Sequence, residues 1–444
     1  MGTSVKSIKQ KILGAAAVIG AFTILAQIGG FAKELTVAAW FGTGDALDAF
    51  LIALLVPTFA VNIIGGSLSA AFVPTFIQVN QHQGLAAAQN ILSNVIGWFL
   101  SLCFVLSILI FFLAPYYLPA LCSGFSDEKL HLTQIILYLL IPVIGLKGLS
   151  NICAGVLNCL ESFALPTALQ IFGPLAAIFL IITFGGLLGI YALVFGTLLG
   201  FGLEAFFIGI AVIKSDFSLR PRIHVSDPAM RTIVGQFLPV VAGAIIMGGT
   251  EIVDKGMAAA LSPGSVASLN YGNKIIAAVL TLATTAIGTA VLPYFSKMAA
   301  GREWQDIRST LKFYLGIIFA LGIPAALIIF GVSETVIGIV FQRGSFTARD
   351  TAVVASVQGM FAFQIPFYAA SIVVVRLISS LRANHILMWG AAINLFFNII
   401  LNLVFIHFMG LKGIALSTSC VYLISFVFLF YYAHKMLSGA AVEE

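Results

Sequence analysis

Long apolar stretches dominate this chain and constrain its fold more than any other feature. Residues 91–114, for example, contain no charged side chain. A helix needs about 20 mostly apolar residues to cross the hydrocarbon core of a bilayer. Twelve stretches of about that length follow one another along the chain, so we predict twelve membrane-spanning helices. Their approximate ranges are 13–40, 49–77, 91–114, 132–157, 164–184, 188–213, 231–260, 266–295, 309–331, 351–379, 386–409 and 413–434.

The low charge content excludes most other classes of protein. Only 9% of the 444 residues are charged and 60% are hydrophobic, whereas an ordinary soluble domain has about 25% charged residues. So few charges do not cover the surface of a soluble enzyme or build a nucleic-acid interface. A transmembrane barrel alternates apolar and polar residues in segments of about ten, and the apolar stretches here are much longer. The sequence therefore predicts an all-α polytopic membrane protein.

Basic residues between the predicted helices indicate the orientation. With the N-terminus in the cytoplasm, 13 Lys and Arg residues fall on the cytoplasmic side and 4 on the opposite side. This asymmetry favours a multi-pass protein of the bacterial cytoplasmic membrane with both termini in the cytoplasm. The 13 are Lys6, Lys9, Lys11, Lys214, Arg220, Arg222, Arg231, Lys297, Arg302, Arg308, Lys312, Arg382 and Lys435, and the 4 are Lys129, Arg343, Arg349 and Lys412.

The two halves of the chain resemble each other. Residues 38–76, from AAWFGTGDALDAF to AAFVPTF, match residues 258–295, from AAALSPGSVASLNY to TAVLPYF, about 220 positions later. GLLGIYAL at 186–193 recurs as GLKGIALS at 410–417, at an offset of 224. Two matches at nearly one offset indicate an internal duplication.

The duplication predicts a domain organisation. Two pseudo-symmetric six-helix lobes, residues 1–213 and 231–444, are joined by a basic cytoplasmic connector, residues 214–230. Six helices per copy give both copies the same orientation, with a symmetry axis along the membrane normal. This arrangement is typical of transporters that bind substrate near the midplane between two bundles, so a central cavity is expected.

Ten ionisable residues fall within the predicted spans. Each is costly if it faces lipid, so each is expected to face a cavity or a partner. They cluster in helices 1, 2, 7 and 8, which are equivalent pairs in the two lobes. The ten are Lys33, Glu34, Asp48, Lys147, Glu204, Glu251, Asp254, Lys255, Lys274 and Arg376.

Structural pairing is the simpler explanation for several of these charges. Glu251 and Lys255 are four residues apart on one helical face and can neutralise each other. Lys33 and Glu34 project about 100° apart, so we expect them to need different partners. Asp48 stands at the start of the second helix and can cap it.

The other cations suggest a binding site. Lys33, Lys255, Lys274 and Arg376 are candidates to line a substrate path, because cations in a cavity suit an anionic substrate such as a phosphate. Asn62 on the second helix adds a hydrogen-bonding group. The carboxylates, in turn, suit a coupling cation or proton.

Two further polar sets have a structural and a functional interpretation. Lys147 and Glu204 either pair within the first lobe or line the substrate path. Asn394, Asn398 and Asn402 recur at every fourth residue and form a polar stripe on one helical face. Hydrogen bonds between helices, each contributing less than about 1 kcal/mol, explain such a stripe as well as a binding role does.

Six motifs, in order along the chain, resemble the MurJ/MviN lipid II flippase family of the multidrug/oligosaccharidyl-lipid/polysaccharide (MOP) exporter superfamily. The resemblance implies a two-lobed, alternating-access fold without enzymatic activity. It also implies flipping of an undecaprenyl-linked saccharide from the cytoplasmic to the outer leaflet. The motifs are GGFAKELTVAAWFGTGDALDAFLIALLVP (29–57), SAAFVPTF (69–76), IVDKGMAAALSPGSVASLNYGNK (252–274), TAVLPYFSK (289–297), VFQRGSFTARDT (340–351) and GLKGIALSTS (410–419).

The first two helices keep part of the family's charge pattern. An Arg of the first helix is replaced by Gln27, and the next Arg is Lys33 here. The adjacent acid is kept as Glu34, and the acid of the second helix is kept as Asp48. The resemblance therefore implies that these charged positions belong to the substrate-binding cavity.

Other cavity positions differ from the family. The cations and the acid that follow Pro57 in relatives are absent, and Asn62 lies in that segment. An Asp-Arg pair of helix 8 becomes Asn273 and Lys274. Lys is a point charge where Arg binds phosphate through two hydrogen bonds. A related envelope or exopolysaccharide precursor is therefore at least as good a candidate substrate as lipid II.

The resemblance also implies a candidate sodium site, because some members bind sodium through helices 7, 11 and 12. The matching positions are Asp254, Asn394, Asn398 and Thr418, with Asn398 in place of an acid. One carboxylate with neutral oxygens suits a monovalent cation. No other cofactor is predicted, and the coupling ion is expected to be a monovalent cation or a proton.

Two other functions stay open on the sequence alone. A MATE-like cation or drug antiporter would use Asp48, Glu251 and Asp254, although lysines in the cavity would repel its substrate. A degenerated flippase would act as a non-transporting scaffold for envelope-synthesis proteins. The expected state is a monomer, and the expected partners are a lipid-linked saccharide, membrane lipids and such proteins, without nucleic acid.

Overall fold

The computed structural model describes residues 2–224, 228–381 and 383–440. Every regular element within those ranges is a helix. The elements are α1 (Gly2–Phe41), α2 (Asp45–Val61), a π-helix (Asn62–Gly66), α3 (Ser67–Gln83), α4 (Leu85–Leu121), α5 (Asp127–Leu140), α6 (Val143–Cys159), α7 (Ala164–Leu169), α8 (Phe172–Leu188), α9 (Ile190–Lys214), α10 (Pro228–Ala259), α11 (Ser265–Ala300), α12 (Trp304–Phe341), α13 (Ala348–Ala362), α14 (Gln364–Ser380), α15 (Asn384–Met409) and α16 (Leu411–Ala440).

The predicted all-α membrane fold is confirmed. Each predicted stretch lies within one of these helices, or within consecutive helices separated by a short irregularity, with at most two residues outside. Several of the helices extend well beyond the predicted ends. Among the described residues, ten helical segments are long and apolar enough to cross a membrane. The number twelve and the central cavity stay predictions.

Two compact units make up the fold, and each includes more than one segment of the chain. The sequence predicts lobe boundaries at residues 213 and 231, and these boundaries stay a prediction. Unit 1 comprises Met1–Gly42, Ala49–Ala120 and Ser126–Ile245, and unit 2 comprises Thr43–Asp48, Leu121–Phe125 and Ile246–Glu444.

The core of unit 1 includes an aromatic cluster that ties the connector to the helices. The rings of Phe72 and Phe76 on α3 lie 5.2 Å apart, and Phe217 of the connector lies 5.5 Å from Phe76. All three side chains are fully buried. Because lipid tails are as apolar as these rings, close packing rather than escape from water holds such a core together in a membrane.

Unit 2 has its own apolar core, formed by α11, α12, α14, α15 and α16. Phe295, Ile307, Leu377 and Ala433 are completely buried within it. Tyr271 of α11 packs separately against Phe341 at a ring distance of 5.2 Å. Asp254, Lys274 and Arg376 all belong to this unit, and α11 and α14, which carry Lys274 and Arg376, contribute to its packed core.

Candidate functional site

A single carboxylate, that of Asp254 on α10, collects three polar side chains within unit 2. Asn398 and Asn402 on α15 donate their Nδ2 groups to Asp254 Oδ1 at 2.9 and 2.7 Å. Thr418 on α16 donates its Oγ1 to Asp254 Oδ2 at 3.2 Å. The two asparagines lie one helical turn apart, so α15 presents both to the same acceptor. Three of the four predicted sodium ligands are therefore brought together.

The oxygen atoms of this Asp254 cluster are suited to a hard monovalent cation. The Oδ1 atoms of Asn398 and Asn402 are buried, and neither accepts a hydrogen bond from any described residue. A half-turn of each amide would direct these oxygens toward the carboxylate in place of the Nδ2 groups. The cluster would then offer one carboxylate and three neutral oxygens, which are the ligand types that hard cations take.

Asn394, the fourth predicted sodium ligand, has a different neighbour. Its Nδ2 donates to Ser425 Oγ on α16 at 3.1 Å. The sequence missed Asn402 as a ligand, although the spacing of four residues placed it on the same face. A ligand role for Asn394 stays a prediction.

The described residues form no metal site of another kind. No group of three or more His, Cys, Asp or Glu side chains in those ranges is arranged to hold a metal ion. The Asp254 cluster does not qualify either, because it has one carboxylate and no imidazole or thiol.

Lys255 pairs with Glu251, as the spacing of four residues predicts. Lys255 Nζ lies 2.7 Å from Glu251 Oε1. The Lys255 side chain is 17% exposed, whereas that of Glu251 is 61% exposed. The partner of Lys255 is thus open to solvent or lipid headgroups, and an exposed pair of this kind contributes little stability.

Lys33 and Glu34 also pair, which corrects the expectation that they need different partners. Lys33 Nζ lies 3.1 Å from Glu34 Oε1. Although the two Cα–Cβ bonds diverge by about 100°, the four-carbon stem of Lys is long and flexible enough to turn toward its neighbour. The two charges therefore partly neutralise each other within unit 1.

Asp48 caps a helix that is remote in sequence. Its Oδ2 accepts the backbone N–H of Gly264 at 2.8 Å, and its Oδ1 accepts that of Ala267 at 2.7 Å. The capped helix is α11 rather than the second predicted helix, whose own first turn contains Asp48. The side chain is 1% exposed, so this carboxylate is placed where the N-terminal dipole of α11 stabilises a negative charge.

The same region of unit 2 is tightly packed around Gly264. Gly264 has φ of 82°, and a Cβ there would overlap the carbonyl oxygen of Thr43. Thr43 in turn donates its hydroxyl to Asp350, which forms a capping box with Thr347 at the start of α13. Thr43, between α1 and α2, thus contacts the starts of both α11 and α13.

The remaining predicted cavity residues lie on three helices: the π-helix, α11 and α14. Asn62 is exposed at the start of the π-helix, in unit 1. Asn273 is exposed on α11, and Lys274 beside it is half-buried. Arg376 on α14 is half-buried, and its Nε is buried without a hydrogen-bond partner among the described residues. Lys255, Lys274 and Arg376 all belong to unit 2.

Lys147 and Glu204 form a closed pair inside unit 1. Lys147 Nζ donates to both carboxylate oxygens of Glu204, at 2.6 and 2.9 Å, and lies 5.6 Å from the centre of the Phe201 ring. Glu204 is 4% exposed. Of the two interpretations of this pair, the geometry favours pairing within the lobe.

An all-helical membrane protein with ion pairs and a carboxylate cluster inside its predicted spans has the features of a polytopic transporter. Its fold is similar to the folds of two solved transporters. An inward-facing multidrug-resistance MATE transporter of the MOP superfamily matches with a TM-score of 0.76 at 14% identity, covering 96% of this chain and 99% of that one. A lipid II flippase MurJ in an inward closed conformation matches with a TM-score of 0.81 at 23% identity, covering 96% and 90%.

The sequence identifies the family. Residues 37–443 match the sequence model of "Lipid II flippase MurJ", so the chain belongs to the MurJ family. A probable lipid II flippase MurJ of Buchnera aphidicola is 24% identical, over 93% of this chain and 81% of that protein. Another from Synechocystis is 22% identical, over 100% of this chain and 85% of that protein.

Proposed function

We propose that this chain flips an undecaprenyl-linked saccharide across the bacterial cytoplasmic membrane by alternating access, without catalysing a reaction. The observation that carries the proposal is the match of residues 37–443 to the lipid II flippase family. The relatives that match over nearly the whole chain are named as flippases of lipid II. Lipid II or a related envelope precursor is the proposed substrate.

The cations within the helices support an anionic headgroup as the part of the substrate that the protein holds. Lys255, Lys274 and Arg376 belong to one unit, and Lys33 belongs to the other. A pyrophosphate between sugar and lipid presents several acceptor oxygens, and charge-assisted hydrogen bonds to such oxygens are about twice as strong as neutral ones. The polyprenyl tail needs no protein site, because it stays in the bilayer.

A monovalent cation at the Asp254 cluster is the proposed coupling ion. Asp254 and Lys255 are consecutive on α10, so their Cα atoms are about 3.8 Å apart. A cation bound by Asp254 reduces the negative potential that opposes an anionic headgroup at Lys255. Binding of either ligand would therefore favour the other, and the coupling would be reciprocal.

The amides of Asn398 and Asn402 give this coupling a structural basis. In the conformation described above, both donate N–H groups to Asp254, which satisfies the buried carboxylate. A bound cation would require the amide oxygens instead. Ion binding would thus turn the two amide groups of α15 that contact α10. The distance between α15 and α10 can then differ between the ion-free and the ion-bound state.

Reconstituted flipping tests the proposal directly. Purified protein in liposomes is supplied with fluorescent undecaprenyl-linked substrates, lipid II among them, and externally exposed label is then bleached or cleaved. We expect saturable transfer of at least one of these lipids, faster with a sodium gradient and slowed at least tenfold by Asp254→Ala. Equal transfer in protein-free vesicles, for every lipid in the set, would refute the function.

Orientation and assembly are part of the same proposal. Both termini are placed in the cytoplasm, on the distribution of basic residues, and the transporting unit is a monomer whose contacts with envelope-synthesis proteins are transient. Reporter fusions at the two ends test the orientation. Mass measurement of the purified protein in detergent tests the monomer, and crosslinking in cells tests the contacts.

A further inference from the structure

Residues 217–224, here called the strap, are fastened along the first turns of α4 within unit 1. Gln89 donates its Nε2 to Ser218 O at 2.8 Å and accepts the Ser218 N–H on its Oε1 at 2.6 Å. Asn94 makes the same pair of bonds with His224, at 3.0 and 2.9 Å. Two side-chain amides of one helix thus clamp the backbone near both ends of the strap.

The middle of the strap lies just as close to the helix. The Arg222 N–H donates to Ser93 O at 2.9 Å. Gly97, one turn further along α4, has no side chain, and a Cβ there would overlap the carbonyl of Arg222. Phe217 anchors the start of the strap in the core of unit 1.

The strap presents basic side chains along one edge. Backbone groups of residues 218, 222 and 224 all face α4, which is the alternation of an extended chain. In an extended chain every second side chain lies on the same side, about 6–7 Å apart. Arg220, Arg222 and His224 therefore project from one edge, and all three are exposed. Asp216, just before the strap, is the nearest acid in the sequence.

Several features place the strap at the level of the lipid headgroups. Among the described residues, it contacts α4 between Gln89 and Gly97, at the start of the predicted span 91–114. Trp98 follows directly on α4 and is 39% exposed, and Ile223 of the strap is 55% exposed. Trp residues are enriched at membrane–water interfaces. An exposed aliphatic side chain next to Arg222 is likewise typical of a segment that contacts the interface.

We propose that the strap is a binding site for the headgroups of anionic phospholipids at the membrane surface. The negative potential of the cytoplasmic leaflet attracts basic segments next to a membrane span, and the strap lies on the predicted cytoplasmic side. Lys214 and Arg231 flank it and are also exposed. The site is separate from the predicted substrate residues. It rests on the orientation given under the proposed function but not on the transport activity.

Membrane insertion alone does not explain this arrangement. Orientation by positive charge requires only that Lys and Arg occur in the loop, whatever its conformation. Here four hydrogen bonds from Gln89 and Asn94 order the backbone. Binding loses less entropy when the basic side chains are already attached to an ordered backbone. An ordered row of basic side chains therefore favours the binding of a headgroup.

Native mass spectrometry of the full-length protein tests the site, with phosphatidylglycerol and phosphatidylcholine as the probes. Arg220→Gln with Arg222→Gln should reduce the preference for phosphatidylglycerol by roughly thirtyfold, given about 1 kcal/mol per basic residue at a surface. Lys297→Gln with Arg302→Gln, an equal loss of exposed charge from the α11–α12 segment, should leave it within about twofold. Gln89→Ala with Asn94→Ala keeps every cation but frees the strap, and should give an intermediate loss.

Three results would overturn the proposal. The Arg220/Arg222 variant could retain the full preference, or the Lys297/Arg302 variant could lose as much. Undecaprenyl pyrophosphate could bind more tightly than phosphatidylglycerol with the same dependence on Arg220 and Arg222, which would assign the strap to the transported substrate. An unchanged melting temperature of each variant ensures that a loss of lipid does not reflect unfolding.

Discussion

Asp48 and Gly264 are 216 positions apart in the sequence, yet a carboxylate oxygen of Asp48 accepts the backbone N–H of Gly264 at 2.8 Å. The second oxygen accepts the N–H of Ala267 at 2.7 Å. The contact lies within unit 2, because residues 43–48 belong to that unit. Family resemblance assigns this carboxylate to the substrate cavity, whereas its geometry is that of a buried helix cap.

Replacing Asp48 with Ala should therefore lower stability. The change removes two charge-assisted hydrogen bonds from buried N–H groups, each contributing about 1.5–3 kcal/mol, and we expect a loss of about 3 kcal/mol in unfolding free energy. Thermal unfolding in detergent measures it. Asp45→Ala, in the same turn but exposed, is the matched control. A melting temperature of Asp48→Ala equal to that of the control would show that the cap does not stabilise α11.

The pair of Lys147 and Glu204 allows a sharper test, because both partners can be removed. Lys147→Met or Glu204→Gln alone leaves a charge without its partner in a half-buried position, and such changes cost several kcal/mol in buried pairs. The double replacement Lys147→Met with Glu204→Leu should regain most of the stability. A double variant that is as unstable as the sum of the two single variants would mean that the pair contributes through other contacts.

The helices were predictable from the sequence because a membrane imposes a simple rule on their length and composition. Runs of about 20 apolar residues marked them, and the pairing of Glu251 with Lys255 followed from helical spacing. The irregularities inside the long segments were not predicted. The π-helix at Asn62–Gly66, for example, depends on how α3 packs with α6, where a Cβ on Gly65 would lie 3.0 Å from Asn151.

The partners of individual side chains were harder to predict from the sequence than the helices were. Asp48 gave a signal for a cap but none for which helix it caps, since Gly264 lies in the other half of the chain. Lys33 was expected to reach away from Glu34, because Cβ directions say nothing about the reach of a flexible stem. Asn402 lay on the predicted stripe, yet only the three-dimensional register of α15 against α10 shows it at Asp254.

Lys33 and Lys274 should both be required for transport. Lys274→Ala removes a half-buried cation from α11 and should abolish complementation of a flippase-deficient strain at normal protein levels. Lys33→Ala removes a half-buried cation from α1 and should do the same. Full complementation by both single variants would exclude these lysines from substrate binding. Lys412→Ala, an exposed residue of a predicted outer loop, is the control.

Asn402 and Asn394 should differ in their effect on sodium, although they lie on one face of the same helix. Asn402 contacts Asp254, whereas Asn394 contacts Ser425. Asn402→Ala removes one oxygen ligand from the proposed cation site, and we expect the sodium concentration for half-maximal flipping to rise about tenfold, which corresponds to 1.4 kcal/mol. Asn394→Ala should change it by less than twofold. Sodium titration of reconstituted flipping separates the two, and Asn402→Asp, which introduces a second carboxylate, should lower the half-maximal concentration. If Asn394→Ala raised it tenfold and Asn402→Ala did not, the ligand set would be the one that family resemblance implies, and α15 would have to shift when the ion binds.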